Sequence, residues 1–311
     1  FRRPPGDSFS QSPAVDSKGA GTRFTCALQS PCSRMMPVSN LSLNRSTCTT
    51  TDGPSILGIW RLGASLHHSK HTALSLAQPA DAMNSPRWDY AIKRALTNQS
   101  EGQRQVSQFV AGASAIVHPN VVPVLDASVT GSTPYLVMPM IEGQSMQQYL
   151  ATKTPPLPVA LWLVRQTAQA LDAIHAAGWV HGDIKPENTI IGPRGHVTLI
   201  DFGFASRVHS VPNHIYRGTP DYSAPETLSG QTAMMPAMDI FSLGRMLWQW
   251  LTRIEPTSEV FLEPVAGLVE QMVSIDPLVR PPASEVAKQL LRLEIETLGC
   301  HLMPVRTRRA A

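Results

Sequence analysis

At 311 residues, with 42 % hydrophobic side chains, the chain has room for one large domain or two ordinary ones and enough apolar material for a sizeable core. Its formal charge of +3 sits at the ends, because residues 1–56 carry six basic and three acidic side chains and residues 295–311 carry three and one. That leaves the middle slightly acidic, which excludes a nucleic-acid-binding face there, and no stretch has the length and apolarity of a membrane span.

Residues 1–56 are rich in Ser, Thr and Pro and show no apolar period, so they are predicted to be disordered. No secretory signal is visible; the sequence begins with Phe1, and Met35 and Met36 are candidate natural starts. Cys26, Cys32, Cys48 and Cys300 form neither a disulfide framework nor a zinc spacing, and they read as free thiols in a reducing cytoplasm. Order is expected from about Ile56. His67, His68 and His71 lack a carboxylate or cysteine at matching spacing and read as a solvated loop rather than a metal site.

Trp88 to Arg94 alternates like a strand, and Glu101 to Val117 reads as a helix stopped by His118-Pro119-Asn120. Tyr135 to Met138 is a further strand, followed by a turn at Glu142-Gly143. Helices dominate from about residue 156. The apolar run 161–180 is interrupted by Arg165, Gln166, Gln169 and Asp172, which makes it an amphipathic helix. Met246, Leu247, Trp248 and Leu251 are predicted to lie in a buried helix. The fold class is therefore α+β. Its domain covers residues 57–294, with a strand-rich front at about 57–138 and a helical back at about 142–294; residues 295–311 are a basic tail.

Two short motifs carry chemistry: His181-Gly182-Asp183-Ile184-Lys185-Pro186-Glu187-Asn188 and Asp201-Phe202-Gly203. Moving a γ-phosphoryl group calls for a carboxylate at the acceptor hydroxyl, a cation near the transferring group and oxygen ligands for Mg²⁺. Asp183, Lys185, Asn188 and Asp201 supply that set. In order and spacing these motifs resemble the catalytic and Mg²⁺-binding loops of the protein kinase family in its bacterial serine/threonine style. The resemblance extends to Ala91-Ile92-Lys93, to the segment Gly218 to Glu226, to Asp239 through Gly244, and to Asp276 through Pro281.

The resemblance implies a bilobal fold, ATP and Mg²⁺ as cofactors, and a protein substrate with a Ser or Thr hydroxyl. It implies Asp183 and Lys185 as catalytic residues and Asn188 and Asp201 as metal ligands. Lys93, Gly63, the gatekeeper Met138 and the hinge residues Pro139 and Ile141 would hold the nucleotide. Pro139 lacks an N–H but keeps its carbonyl, so it is compatible with adenine binding. His181 would stack beneath Phe202, Thr219 would bond Asp183 and Lys185, Asp239 would support the catalytic-loop backbone, and Glu226 would pair with Arg280.

Three departures stand out. The Gly-rich loop keeps only Gly63, and the distance from there to Lys93 suggests an insertion. The helix glutamate that should pair with Lys93 is absent: its expected position falls near Phe109, and Glu101 lies about 12 Å away along a helix at 1.5 Å per residue. Lys93 is thus expected to lack its carboxylate, and Phe109→Glu to raise transfer. Gly182 replaces the arginine that receives an activation-loop phosphate, so no cationic pocket is expected for phosphate on Ser206, Ser210 or Tyr216. A low-activity nucleotide-binding scaffold and a small-molecule phosphotransferase remain alternatives to an active protein kinase.

Overall fold

The computed structural model describes residues 56–82, 85–96, 100–211 and 216–301. The expected disorder of residues 1–55, and Cys26, Cys32 and Cys48 with it, lies outside the described residues.

The front of the domain is a six-stranded antiparallel sheet. Its strands are β1 (Ile56–Leu57), β2 (Trp60–His68), β3 (Thr72–Pro79), β4 (Tyr90–Ala95), β5 (Asp126–Ser128) and β6 (Tyr135–Pro139), in the order β1-β2-β3-β4-β6-β5. Successive strand side chains face opposite ways. In β4 this sends Ile92 to an outer cluster with Trp60, Ala77, Tyr135 and Val137, while Ala91 and Ala95 join the main core. Lys93 shares their face.

Helix α1 (Ser100–Ala113) packs on that face through Val106, Phe109 and Ala113, which recur at helical spacing. It ends four residues before the predicted Val117. Ala115 and Ile116 close i→i−3 bonds onto Gly112 and Ala113, and the residue before Pro119 disfavours helical backbone.

The back of the domain is helical. Strand β7 (Gln144–Ser145) leads into α2 (Met146–Thr152) and α3 (Leu157–Ala176), then β8 (Trp179–Val180), β9 (Thr189–Ile191), β10 (Val197–Leu199) and β11 (Ser206–Arg207). Helices α4 (Pro236–Leu251), α5 (Glu259–Met272) and α6 (Ala283–His301) complete it. Two short sheets, β10-β9-β7 and β11-β8, rest on α3 and α4.

Two predictions are corrected. Met246 and Leu247 are fully buried in α4, but Trp248 is 51 % exposed, because at one residue further round it leaves the buried stripe. Residues 295–301, assigned to a tail, continue α6, where Thr297 is buried and donates to the Leu293 carbonyl.

Candidate active site

A hairpin explains the thirteen-residue spacing between Asn188 and Asp201. Strands β9 and β10 pair antiparallel with Thr189 opposite Leu199. Asn188 immediately precedes one strand and Asp201 closely follows the other, so the turn brings them together. The Ile200 N–H donates to the Asn188 carbonyl at 2.8 Å, joining the two loops at their base. Asp201 holds a left-handed backbone, φ 67°, a conformation that non-glycine residues keep only where the surroundings impose it.

The loop from His181 to Asn188 is held by hydrogen bonds among Asp183, Lys185, Asn188 and Thr219. Asn188 Nδ2 donates to both the carbonyl and Oδ2 of Asp183, at 2.9 and 2.8 Å. Thr219 Oγ1 donates to Asp183 Oδ1 at 2.8 Å, and Lys185 Nζ reaches Thr219 Oγ1 at 2.8 Å and Asp183 Oδ2 at 2.7 Å. The Asp183 side chain is only 4 % exposed, so these partners replace the water it has lost. Both donors of Asn188 Nδ2 go to Asp183, which leaves Asn188 Oδ1 as the atom suited to a hard cation.

Beneath this loop, the buried Asp239 accepts from the N–H groups of His181 and Gly182, at 2.8 and 2.9 Å, and contacts His175 Nε2 at 3.0 Å. Burial alone would raise its pKa, but the hydrogen bond and charge of His175 reverse the direction, and the carboxyl stays below its ordinary range. His181 is fully buried, and desolvation pushes its pKa down. Its neutral ring accepts from the Asp183 N–H, contacts the Ile200 carbonyl and packs edge-on against Phe202, with ring centroids 4.8 Å apart. Gly182 has φ 78°, and a Cβ there would meet the Phe204 carbonyl oxygen at 2.9 Å, so no arginine fits this backbone. Glu226 forms a bidentate pair with Arg280 at 2.6 and 3.0 Å, and the Arg280 side chain is fully buried over Phe241.

Lys93 is not without a carboxylate. Its Nζ stands 2.5 Å from Asp201 Oδ1, and the Phe109 ring lies 5.5 Å from it on the helix side. The crowded position of Asp201 works to raise its pKa, yet the Lys93 ammonium outweighs this and the net direction is down. The position counted for the missing glutamate does face Lys93, but Phe109 fills it as a core residue, packed on Phe202 at 5.8 Å.

Gly63 does not form the turn over the cleft. It lies within β2, where a Cβ would come within 2.6 Å of the Trp88 ring; the missing side chain makes space for that indole. The hairpin turns later, at Ser69 to His71, which accounts for the long spacing to Lys93. Ser69 Oγ accepts from the N–H groups of His71 and Thr72, at 3.2 and 2.9 Å, so side-chain bonding closes the tip in place of glycines. His67 and His68 end β2 and are exposed. At the rear of the cleft, Met138 is buried and Pro139 ends β6. The Met140 N–H donates to the Asp89 carbonyl, and Ile141 packs against the core from the connection that follows.

A cationic pocket, unexpected from Gly182, does exist. Arg104 of α1 and Arg217 line a cavity of about 200 Å³ with Gly182, Ser206, Ser210 and Tyr216. Both guanidiniums are already matched to Glu101, which holds Arg104 at 2.6 Å and lies 3.5 Å from Arg217. Arg104 pairs with Glu101 at i,i+3 on α1, whereas Arg217 lies more than a hundred residues further along the chain, and no local motif marks its approach.

A sheet bearing a lysine, set over a helical lobe whose loops carry an Asp–Lys–Asn–Thr network, with an Asp at the joint, defines the two-lobed kinase class. The profile of the protein kinase domain matches residues 82–293, and the chain belongs to the protein kinase family. The match starts beyond the β2–β3 hairpin, the part that departs most. Serine/threonine-protein kinase PkaA of Streptomyces coelicolor is 32 % identical over 212 residues, which is 60 % of this chain and 39 % of that protein. Serine/threonine-protein kinase PknA of Mycobacterium tuberculosis is 36 % identical over 166 residues, 50 % of this chain and 38 % of the relative. A cAMP-dependent protein kinase, catalytic subunit-like, of Caenorhabditis elegans is 28 % identical over 190 residues, 59 % and 46 % respectively. The chain thus spans less than half the length of these curated relatives. Members of this family act on proteins, with ATP and a divalent metal. Among the described residues no helix is long and apolar enough to cross a membrane.

Proposed function

We propose that this domain transfers the γ-phosphoryl group of ATP to a Ser or Thr hydroxyl of a protein, with Mg²⁺ on the nucleotide. The Asp183 network carries the reading. One carboxylate oxygen is held by Thr219 and the other by Asn188 and Lys185, so the group that would receive or orient the acceptor proton is fixed before substrate arrives. Lys185 supplies a cation beside that carboxylate. Lys93 would bind phosphate oxygens, and the Pro139 carbonyl and Ile141 N–H would hold adenine against Met138. Asn188 Oδ1 and the anionic Asp201 are hard oxygen donors that fit Mg²⁺. A bound Mg²⁺ would offset the negative charge on the phosphates during transfer. The Lys185-Pro186 pair and the Gly218 to Glu226 segment support a protein acceptor over a small molecule. ATP chemistry fits a cytoplasmic setting.

One observation favours a second reading, a nucleotide-binding module of low turnover. A phosphate cradle works through free backbone N–H groups, and at this hairpin tip those of His71 and Thr72 already bond Ser69. Transfer from radiolabelled ATP to generic Ser/Thr protein acceptors separates the two. Acceptor labelling that Asp183→Asn abolishes supports the kinase; tight nucleotide binding with no labelling supports the module.

A further inference from the structure

Glu101 lies in the first turn of α1, about two turns from the Phe109 position that faces Lys93. Its carboxylate instead gathers three partners: Arg104 bidentately at 2.6 and 2.9 Å, Gln105 at 3.3 Å, and Arg217 at 3.5 Å. Arg104 and Gln105 belong to the same helix. Arg217 does not: it lies two residues before Thr219, the hydroxyl that holds Asp183 and Lys185. Arg217 Nε is buried without a hydrogen-bond partner, and Glu101 is the carboxylate that faces it. Arg104 and Gln108 of α1 face Tyr216 and Arg217 across the cavity already described. Both side chains are largely shielded, at 29 % and 22 % exposed, and their attraction is less screened than that of a surface pair. Gln105, the third partner, sits beside Gly203 of the metal-binding loop.

We propose that Glu101 and Arg217 form a clamp of permanent charges that positions Thr219 and, through it, the Asp183 carboxylate. Both are positioning residues, and the proposal rests on the reading of Asp183 as the group at the acceptor hydroxyl. A short i,i+3 pair within a helix explains Arg104 but leaves Arg217 unaccounted for. The clamp links the position of α1 to the geometry of the catalytic loop without any added phosphate.

A double-mutant cycle tests it on the full chain, reading kcat, nucleotide affinity and melting temperature. Glu101→Gln and Arg217→Gln should each lower kcat about tenfold, and the double variant no further than the worse single, the signature of two residues acting as one. Nucleotide affinity should hold within about twofold, as should kcat in the control Arg104→Gln. Additive losses, or an Arg104→Gln loss equal to that of Glu101→Gln, would overturn the clamp. Should the wild-type protein show no transfer, the functional reading fails, and hydrogen exchange over residues 216–224 decides the clamp instead. Faster exchange in both single variants, with no further gain in the double, supports it; unchanged exchange removes it.

Discussion

The Lys93 ammonium is paired with the Asp201 carboxylate, 108 residues away in the chain, at 2.5 Å. The carboxylate that this lysine lacks on α1 is thus replaced by the one at the head of the Asp201-Phe202-Gly203 loop. Phe109, at the position of the missing glutamate, supplies a ring face and joins the column Phe109–Phe202–His181.

Phe109→Glu is accordingly expected to harm the protein, which reverses the expectation from sequence. Phe109 is 1 % exposed, and a carboxylate there would lose the contact with Phe202 and enter the core beside an ammonium already paired. The melting temperature should fall by several degrees, as about 3–5 kcal/mol is typical for losing a buried Phe. A variant that melts like wild type and transfers phosphate faster would restore the original expectation.

Asp201→Asn puts a neutral amide in place of the anionic partner of Lys93, the carboxylate proposed to bind the metal. Nucleotide affinity of the wild-type protein should fall when EDTA removes Mg²⁺, and that of the variant should be low with or without metal. Calorimetric titration with ATP measures both. Equal wild-type affinity in EDTA and in Mg²⁺ would rule out the ligand pair Asn188–Asp201.

Asp183→Asn preserves shape but removes the carboxylate proposed to face the acceptor. Transfer should drop by about 10²–10⁴-fold with ATP affinity nearly unchanged, because a positioned base acts on the transition state. Unchanged turnover would trace the measured activity to another site or a contaminant.

Phosphatase treatment should leave transfer activity as it was. The arginines beside Ser206, Ser210 and Tyr216 are occupied by Glu101, so a phosphate would have to displace a carboxylate in order to pair with them. Activity before and after treatment, with mass spectrometry of the segment, checks this. A large loss mapped to one of the three residues would refute it.

Glu226→Ala should destabilise the domain by about 3–5 kcal/mol, the usual effect of leaving a buried charge unpaired. The Arg280 side chain is fully buried and spends its other donors on the Ser274 and Ala237 carbonyls, so it cannot turn to solvent. Urea denaturation measures the difference. A loss below about 1 kcal/mol would place the pair in the class of surface bridges.

The sequence by itself determined the back of the site. Asp183, Lys185 and Asn188 lie within six residues, and a hairpin of fixed register carries Asp201 to them, so order and spacing imply the geometry. Asp239, Glu226 and Arg280 were legible because each stands in a motif whose backbone context repeats. The front was decided only by the tertiary structure. Gly63 looked like the remnant of a phosphate loop, but the β2–β3 register moved the turn to Ser69 and gave Gly63 to Trp88. The partner of Lys93 and the approach of Arg217 to Glu101 were hidden for the same reason. An ion pair between elements about a hundred residues apart depends on where helix and sheet come to rest, and packing sets that position, with no trace in the spacing of either residue along the chain.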